Sequence, residues 1–177
     1  VLKDGAKMSK SLGNTVDPTE IIKIYVADTV RIFVLFTAPV EKDLEWSDEG
    51  IEGANRFIKR IWKITEENIS CIRDEYEFDF EDLSNKNKEF LIKINKTIDK
   101  VNYDLDRMQF NTAIASMMEL LNHAYKYKED SSADEKLFGF FVYVFIILLN
   151  PLIPHLSNEL WSKSNFKKKD INKLWIK

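Results

Sequence analysis

Apolar residues return every three or four positions through most of this chain, and the phase of that return divides it into helices. The clearest run is Ile51, Ala54, Ile58, Ile61, Thr65 and Ile69. It follows Ser47, whose hydroxyl suits an N-cap, and Asp48 and Glu49, whose charges suit a first helical turn. A second run, Leu91, Ile94, Ile98, Val101 and Leu105, starts near Ser84 and has the spacing of a seam in a helical bundle. Asn111 is expected to cap another helix, with Ile114, Met117, Met118 and Leu121 facing inward and the methionines filling gaps. Residues Leu137 to Leu149 are apolar on most sides, which places them at the bundle's centre. Pro151 and Pro154 then break the chain before a short helix that runs through Trp161.

Ahead of Ser47 the pattern is shorter. Val1-Leu2 reads as the end of a strand or the entry to a loop, and Asp4-Gly5 marks a turn. Asp17, Pro18 and Glu20 form a helix start, because Asp17 can accept from orphan N–H groups and Pro18 has no N–H to satisfy. Ile21, Ile22 and Tyr25 supply a short apolar face. The next helix is expected to begin at Asp28, to bury Ile32, Phe33, Leu35 and Phe36, and to end at Pro39. Residues 40–46 read as a polar connector, 73–83 as irregular, 126–134 as a polar loop and 167–169 as a solvated tail. The expected fold is mainly α: a helical bundle over residues 47–177, preceded by a loop and connecting helices over residues 1–46.

Composition narrows the function classes. The chain has 177 residues, 45% hydrophobic and 31% charged, enough apolar material for a real core in one or two domains. Its net charge of −3 leaves any nucleic-acid contact to a local basic face. The lone Cys71 excludes an internal disulfide, suits a reducing, cytoplasmic setting and reads as a small packing residue. The most apolar run falls short of the ~20 residues that cross a bilayer, so no membrane partner is expected. No signal peptide is visible, and the start at Val1 without a methionine suits a segment of a longer protein. His123, His155 and Cys71 do not make a zinc set, and no metal ligand is expected. His155 and Glu159 lie four apart without the grammar of a zinc protease, so His155 reads as a capping or packing histidine.

Two stretches can carry chemistry. In Lys7-Met8-Ser9-Lys10-Ser11, followed by Leu12-Gly13-Asn14, two flexible ammonium groups sit three residues apart among hydroxyls and loop N–H groups. Such a loop suits a polyphosphate, and Gly13 and Asn14 permit it to bend. In the Ile51–Ile69 run, Arg56, Lys59, Arg60 and Lys63 fall off the apolar stripe and form a basic ridge. Backbone phosphates of a nucleic acid are its natural partner, and an ordinary solvated face the alternative. Lys93, Lys96 and Lys100 extend that track.

The string KMSKS at Lys7 to Ser11 resembles the second signature of class I aminoacyl-tRNA synthetases. Val16-Asp17-Pro18, Ala27-Asp28-Thr29-Val30-Arg31 and the run from Ala38 through Trp46 to Gly50 resemble the bacterial leucyl branch more than the isoleucyl, valyl or methionyl ones. The resemblance is strong over residues 1–62 and returns at Asn150 to Trp161, where Pro154-His155 through Glu159-Leu160-Trp161 is similar to a structural motif of the family's helical bundle. Leu12 stands where leucyl enzymes often carry a third lysine, which removes one charge.

The resemblance implies an anticodon-binding-type helical bundle, ATP with Mg²⁺ as a substrate complex, and leucine and tRNA as further substrates. It implies Lys10 as the clamp on departing pyrophosphate, with Lys7 as a second contact. Ser9 and Ser11 would shape the loop or bond phosphate, and Met8 would lie near the adenine. Arg56, Lys59, Arg60 and Lys63 would contact tRNA phosphates. The family's His-x-Gly-His signature is not among these residues, so the chain by itself is not expected to activate leucine. Residues 1–16, without the fold such a loop would dock on, are accordingly expected to be mobile or held by neighbouring molecules in a crystal. The alternatives are a segment of another class I synthetase and a helical interaction module with no enzymatic parent.

Overall fold

The computed structural model describes residues 1–73, 75–164 and 169–176. The chain opens with a hairpin of β1 (Leu2–Lys3) and β2 (Ala6–Lys7), antiparallel, with Lys3 facing Ala6. Asp4 and Gly5 turn between them at φ 54° and 73°, the paired left-handed conformation that an Asp-Gly hairpin turn requires. Seven α-helices follow: α1 (Pro18–Ile24), α2 (Ala27–Thr37), α3 (Asp48–Glu66), α4 (Asn85–Leu105), α5 (Phe110–Lys128), α6 (Glu135–Leu149) and α7 (Pro154–Lys163).

The helix starts obey local chemistry. Asp17, Ser47, Ser84 and Asp134 each accept a backbone N–H of the first turn of α1, α3, α4 and α6. Two expected starts move. Helix α2 begins at Ala27 rather than Asp28, and the Asp28 carboxylate turns away to serve another helix. Helix α5 begins at Phe110, with Gln109 in the N-cap position and Asn111 already inside the helix. Its far end reaches Lys128, three residues into the expected polar loop.

The core is continuous. Helix α6 sits at its centre, with Leu137, Phe141, Val142, Val144, Phe145, Ile146 and Leu148 fully buried. Helix α3 contributes Ile51, Ala54, Ile58, Ile61 and Thr65 as expected, and Phe57 and Ile64 widen its buried face. Ile69 lies past the helix end, in a 3-10 turn over Ile69–Cys71. Leu91, Ile94, Ile98 and Val101 of α4 and Ile114, Met117 and Leu121 of α5 are buried, whereas Leu105 and Met118 are half-buried. In α2, Ile32 and Phe33 are core, Leu35 is half-buried and Phe36 is 41% exposed. Helix α2 packs on α1, α3, α5 and α7, and Phe36 lines a groove with Gly53 of α3 and Met118 of α5. The irregular stretch before α4 docks through its aromatics, Tyr76 and Phe78 lying against Phe140 and Tyr143 of α6. Of the expected solvated tail, Lys167 and Lys168 lie outside the described residues, and the Lys169 carbonyl accepts from Trp161 Nε1.

Candidate nucleotide loop and nucleic-acid face

The hairpin carries the lysine loop and ties it down. Leu2 N donates to Leu44 O at 2.7 Å, and Trp46 N donates to Leu2 O at 2.8 Å. Gly5 N reaches the Glu45 carboxylate at 3.0 Å. Trp46 lies edge-on to Phe33 of α2, with ring centroids 5.1 Å apart, and its Nε1 donates to Asp48 at the head of α3. Residues 44–46 are thus a strand-like strap from the loop's base to α3 rather than a plain connector. These contacts within the chain count against the expectation that residues 1–16 are mobile or held by neighbouring molecules: the connector supplies a third strand edge.

Beyond β2, Lys10–Leu12 forms one 3-10 turn. Ser9 Oγ accepts Leu12 N at 3.2 Å and lies 3.0 Å from Ser11 Oγ. Gly13 takes φ 64°, left-handed, and its N–H donates to Lys10 O. Asn14 is more than a flexible joint. Its Oδ1 accepts Ser9 N at 2.9 Å and its Nδ2 donates to Lys7 O at 3.3 Å, so one side chain closes the loop from Lys7 to Asn14. The N–H groups of Ser9, Leu12 and Gly13 are therefore committed within the loop and do not wait for a phosphate. Donors for an anion remain at the exposed Lys7 and Lys10, whose ammonium groups have no hydrogen-bond or ion-pair partner among the described residues. Met8 is half-buried, its N–H bonded to Val1 O.

The basic ridge lies along the outer face of α3, and the structure separates its members. Arg60 is held: Nη2 donates to Asn122 Oδ1 at 2.8 Å, the guanidinium sits 4.8 Å from the Tyr125 ring centre, and Tyr125 Oη donates to Arg60 O. Burial raises the Tyr125 pKa above its ordinary value, and the Arg60 charge opposes that rise. Arg56, Lys59 and Lys63 are exposed and form no ion pair among the described residues. The acids just beyond the ridge are already neutralised. Glu66 pairs with Lys163, which lowers its pKa, and Glu67 pairs with Lys128 at 3.2 Å. The proposed extension is weaker than its charges suggest. Lys93 pairs with Glu119 at 2.8 Å and Lys100 with buried Asp104 at 2.6 Å, which leaves Lys96 as the unpaired member among the described residues.

Between α2, α3 and α7 lies a largely apolar groove of about 590 Å³, with Lys59, Trp62, His155 and Glu159 on its walls. Asp28 lies at this junction. It is 2% exposed and accepts from His155 Nδ1 at 2.8 Å and from Leu156 N at 2.6 Å. Helix α7 has no cap from its own N-cap residue, Ile153, so Asp28 of α2 supplies one from outside. Arg31 Nε donates to Leu152 O at 3.1 Å in the same turn. His155 is thus a hydrogen-bonded partner of a cap. No group of three His, Cys, Asp or Glu residues that could hold a metal occurs among the described residues. None of the helices searched there is long and apolar enough to cross a membrane.

Residues 1–47 match the family described as tRNA synthetases class I (I, L, M and V). Residues 87–175, half of the chain, match the anticodon-binding domain of tRNA ligase. The chain belongs to the family of the anticodon-binding domain of tRNA ligases. It is 44% identical, over 96% of its length, to the leucine–tRNA ligase of Brachyspira hyodysenteriae, of which it spans 20%. It superposes with a TM-score of 0.79 and 29% identity on the LeuRS of Agrobacterium radiobacter K84 (agnB2), solved as a LeuRS-tRNA-LeuAMS ternary complex. That match covers 91% of this chain and 21% of the other. The free-state methionyl-tRNA synthetase of Mycobacterium tuberculosis shares the fold at 20% identity and a TM-score of 0.62, over 83% of this chain and 34% of the other. The chain thus spans about a fifth of the length of the curated relatives it matches.

The structure assigns uses to residues that sequence reasoning left as punctuation. Asn14 was visible only as a loop-former, and Asp28 as a helix start.

Proposed function

We propose that this chain is the part of a leucine–tRNA ligase that joins the ATP-handling loop to the tRNA-holding bundle. In the intact enzyme the leucine carboxylate attacks the α-phosphate of ATP and pyrophosphate departs with growing negative charge. Lys10, with Lys7 beside it, meets that charge. A cation positioned for the leaving group rather than for the ground state lowers the barrier. Ser9 and Ser11 shape the loop, Met8 lies toward the adenine side, and Mg²⁺ travels with ATP as part of the substrate complex. The observation that carries the reading is the pair of exposed ammonium groups, unpartnered among the described residues, on a loop whose Ser9, Leu12 and Gly13 N–H groups are already bonded within it. A loop closed in this way presents charge without needing the phosphate to fold it.

The bundle's share is tRNA. Arg56, Lys59 and Lys63 offer free charge to backbone phosphates, which sets affinity and register rather than sequence readout. Arg60, held by Asn122 and Tyr125, offers a fixed guanidinium edge. The chain's place of work is the cytoplasm, and by itself it activates no amino acid. The test is amino-acid-dependent exchange of pyrophosphate into ATP by the full-length protein. Leucine alone should support exchange. Exchange driven by isoleucine, valine or methionine and not by leucine would overturn the reading.

A further inference from the structure

Strand β2 has two edges, and a side chain covers one of them. On the inner edge it pairs with β1, and the ladder runs one step past the hairpin, Met8 N donating to Val1 O at 3.1 Å. Backbone groups of alternate residues in a strand point to opposite edges, so Lys7 O and Ser9 N face outward, where a further strand would engage them. The sheet has no third full strand on that side among the described residues. The Asn14 carboxamide takes both groups: Oδ1 accepts Ser9 N at 2.9 Å and Nδ2 donates to Lys7 O at 3.3 Å. One side-chain amide thus stands in for a neighbouring peptide unit, and residues 7–9 are gripped from both sides. Ser9 is accordingly extended, at φ −148° and ψ 149°.

The grip bears on Lys10. This residue follows Ser9 directly, and its own C=O accepts the N–H of Gly13, the residue before Asn14. Its backbone is therefore pinned on both sides, while its exposed side chain has no partner among the described residues. A lysine stem is flexible, so the reach of the ammonium is set by where the backbone is held. We propose that Asn14 is a positioning residue for Lys10: its amide fixes the turn from which the ammonium meets departing pyrophosphate. The inference rests on the pyrophosphate reading above. The need for an amide follows from its two-sided chemistry. A carboxylate at this position would keep the acceptor for Ser9 N, lose the donor to Lys7 O and put a negative charge on the same short loop as the two lysines. Losing a group that aims charge at the transition state costs kcat and leaves KM for ATP in place.

The test is a double-mutant cycle in the full-length protein: wild type, Asn14→Ala, Lys10→Ala and the double variant. Each is assayed by pyrophosphate exchange with whichever amino acid supports it in the wild type. Asn14→Ala should lower kcat about ten- to hundredfold, up to what a misplacement of about 1 Å costs. KM for ATP should stay within about twofold of wild type. In the Lys10→Ala background the same substitution should lower kcat by no more than about threefold, since the group it aims is gone. Asn14→Asp should lose at least as much as Asn14→Ala. Hydrogen exchange of the peptide spanning residues 7–14 is read beside the cycle. In Asn14→Ala the Ser9 amide should turn from slow to fast exchange.

The same fold-loss with and without Lys10 overturns the proposal, because Asn14 then acts on the fold and not through the lysine. A loss carried by a raised KM for ATP at unchanged kcat overturns it too, and so does an Asn14→Asp variant with wild-type kcat. Hydrogen exchange unchanged in Asn14→Ala removes the grip itself. Should the coupling to Lys10 appear with isoleucine, valine or methionine and not with leucine, the leucyl reading fails and the role of Asn14 stands.

Discussion

Gly139 of α6 faces the backbone carbonyl of Cys71 so closely that a Cβ at position 139 would lie 2.0 Å from that oxygen. The 3-10 turn after α3 crosses the central helix at this point, and the crossing needs the space a side chain would take. This is why a glycine stands inside an otherwise apolar helix, where it costs stability relative to alanine.

Gly139→Ala should therefore destabilise the protein by about 1–3 kcal/mol, the usual cost of forcing atoms into a packed core, since backbone rather than a flexible tip must yield. Gly53→Ala supplies the opposite case. Its Cβ would meet only Arg56 Nη2 at 3.7 Å, so the substitution should add about 0.5–1 kcal/mol through helix propensity. Urea unfolding followed by circular dichroism checks both. Equal effects of the two alanines would remove the crossing as the reason for Gly139.

Alkaline pH should find four tyrosines slow to ionise. Burial pushes the Tyr76 pKa up to about 12 and raises those of Tyr125, Tyr127 and Tyr143. A group whose pKa is raised in the folded state contributes stability that is complete below its unfolded value. That stability is lost as pH rises through the folded value. Stability should therefore hold up to about pH 10 and fall between pH 10 and 12, with phenolate absorbance lagging that of the unfolded chain. Tyr76→Phe should flatten part of that fall. An alkaline profile identical to wild type would place Tyr76 in water.

The ridge makes a salt-dependent claim. In the full-length protein, Arg56→Ala and Lys63→Ala should each weaken tRNA binding and reduce the slope of log K against log salt by about one, the signature of a lost phosphate contact. Lys93→Ala should change the slope less, because its charge is already spent on Glu119. A slope unaltered by Arg56→Ala and Lys63→Ala would leave the ridge as solvated surface.

What was legible in the sequence is what depends on neighbours three or four residues away. The 3.6-residue return of Ile51, Ala54, Ile58 and Ile61, the Ser47 cap and the Asp4-Gly5 turn are local, and the structure keeps them. The lysine string and its later companions carried the family resemblance, and the match over residues 1–47 rests on the same stretch. The rest depended on contacts far apart in sequence. Phe36 reads as core by its type, but it stays 41% exposed on the wall of a groove it shares with Gly53 and Met118. Lys93 reads as free charge until α5 brings Glu119 to it, whereas the partner of Lys100, Asp104, stands only four residues on and was open to a reading by helical spacing. Asp28 reads as a helix start, because its partners lie more than 120 residues away.

The proposed role of Lys10 as the clamp on departing pyrophosphate rests on an exposed ammonium group with no partner among the described residues. Leucine-dependent pyrophosphate exchange by the full-length Lys10→Ala variant measures this most directly. The expected loss is about 100- to 1,000-fold in kcat, the usual cost of removing one preorganised charge-stabilising donor. Exchange within about threefold of wild type, well under 1 kcal/mol, would contradict it.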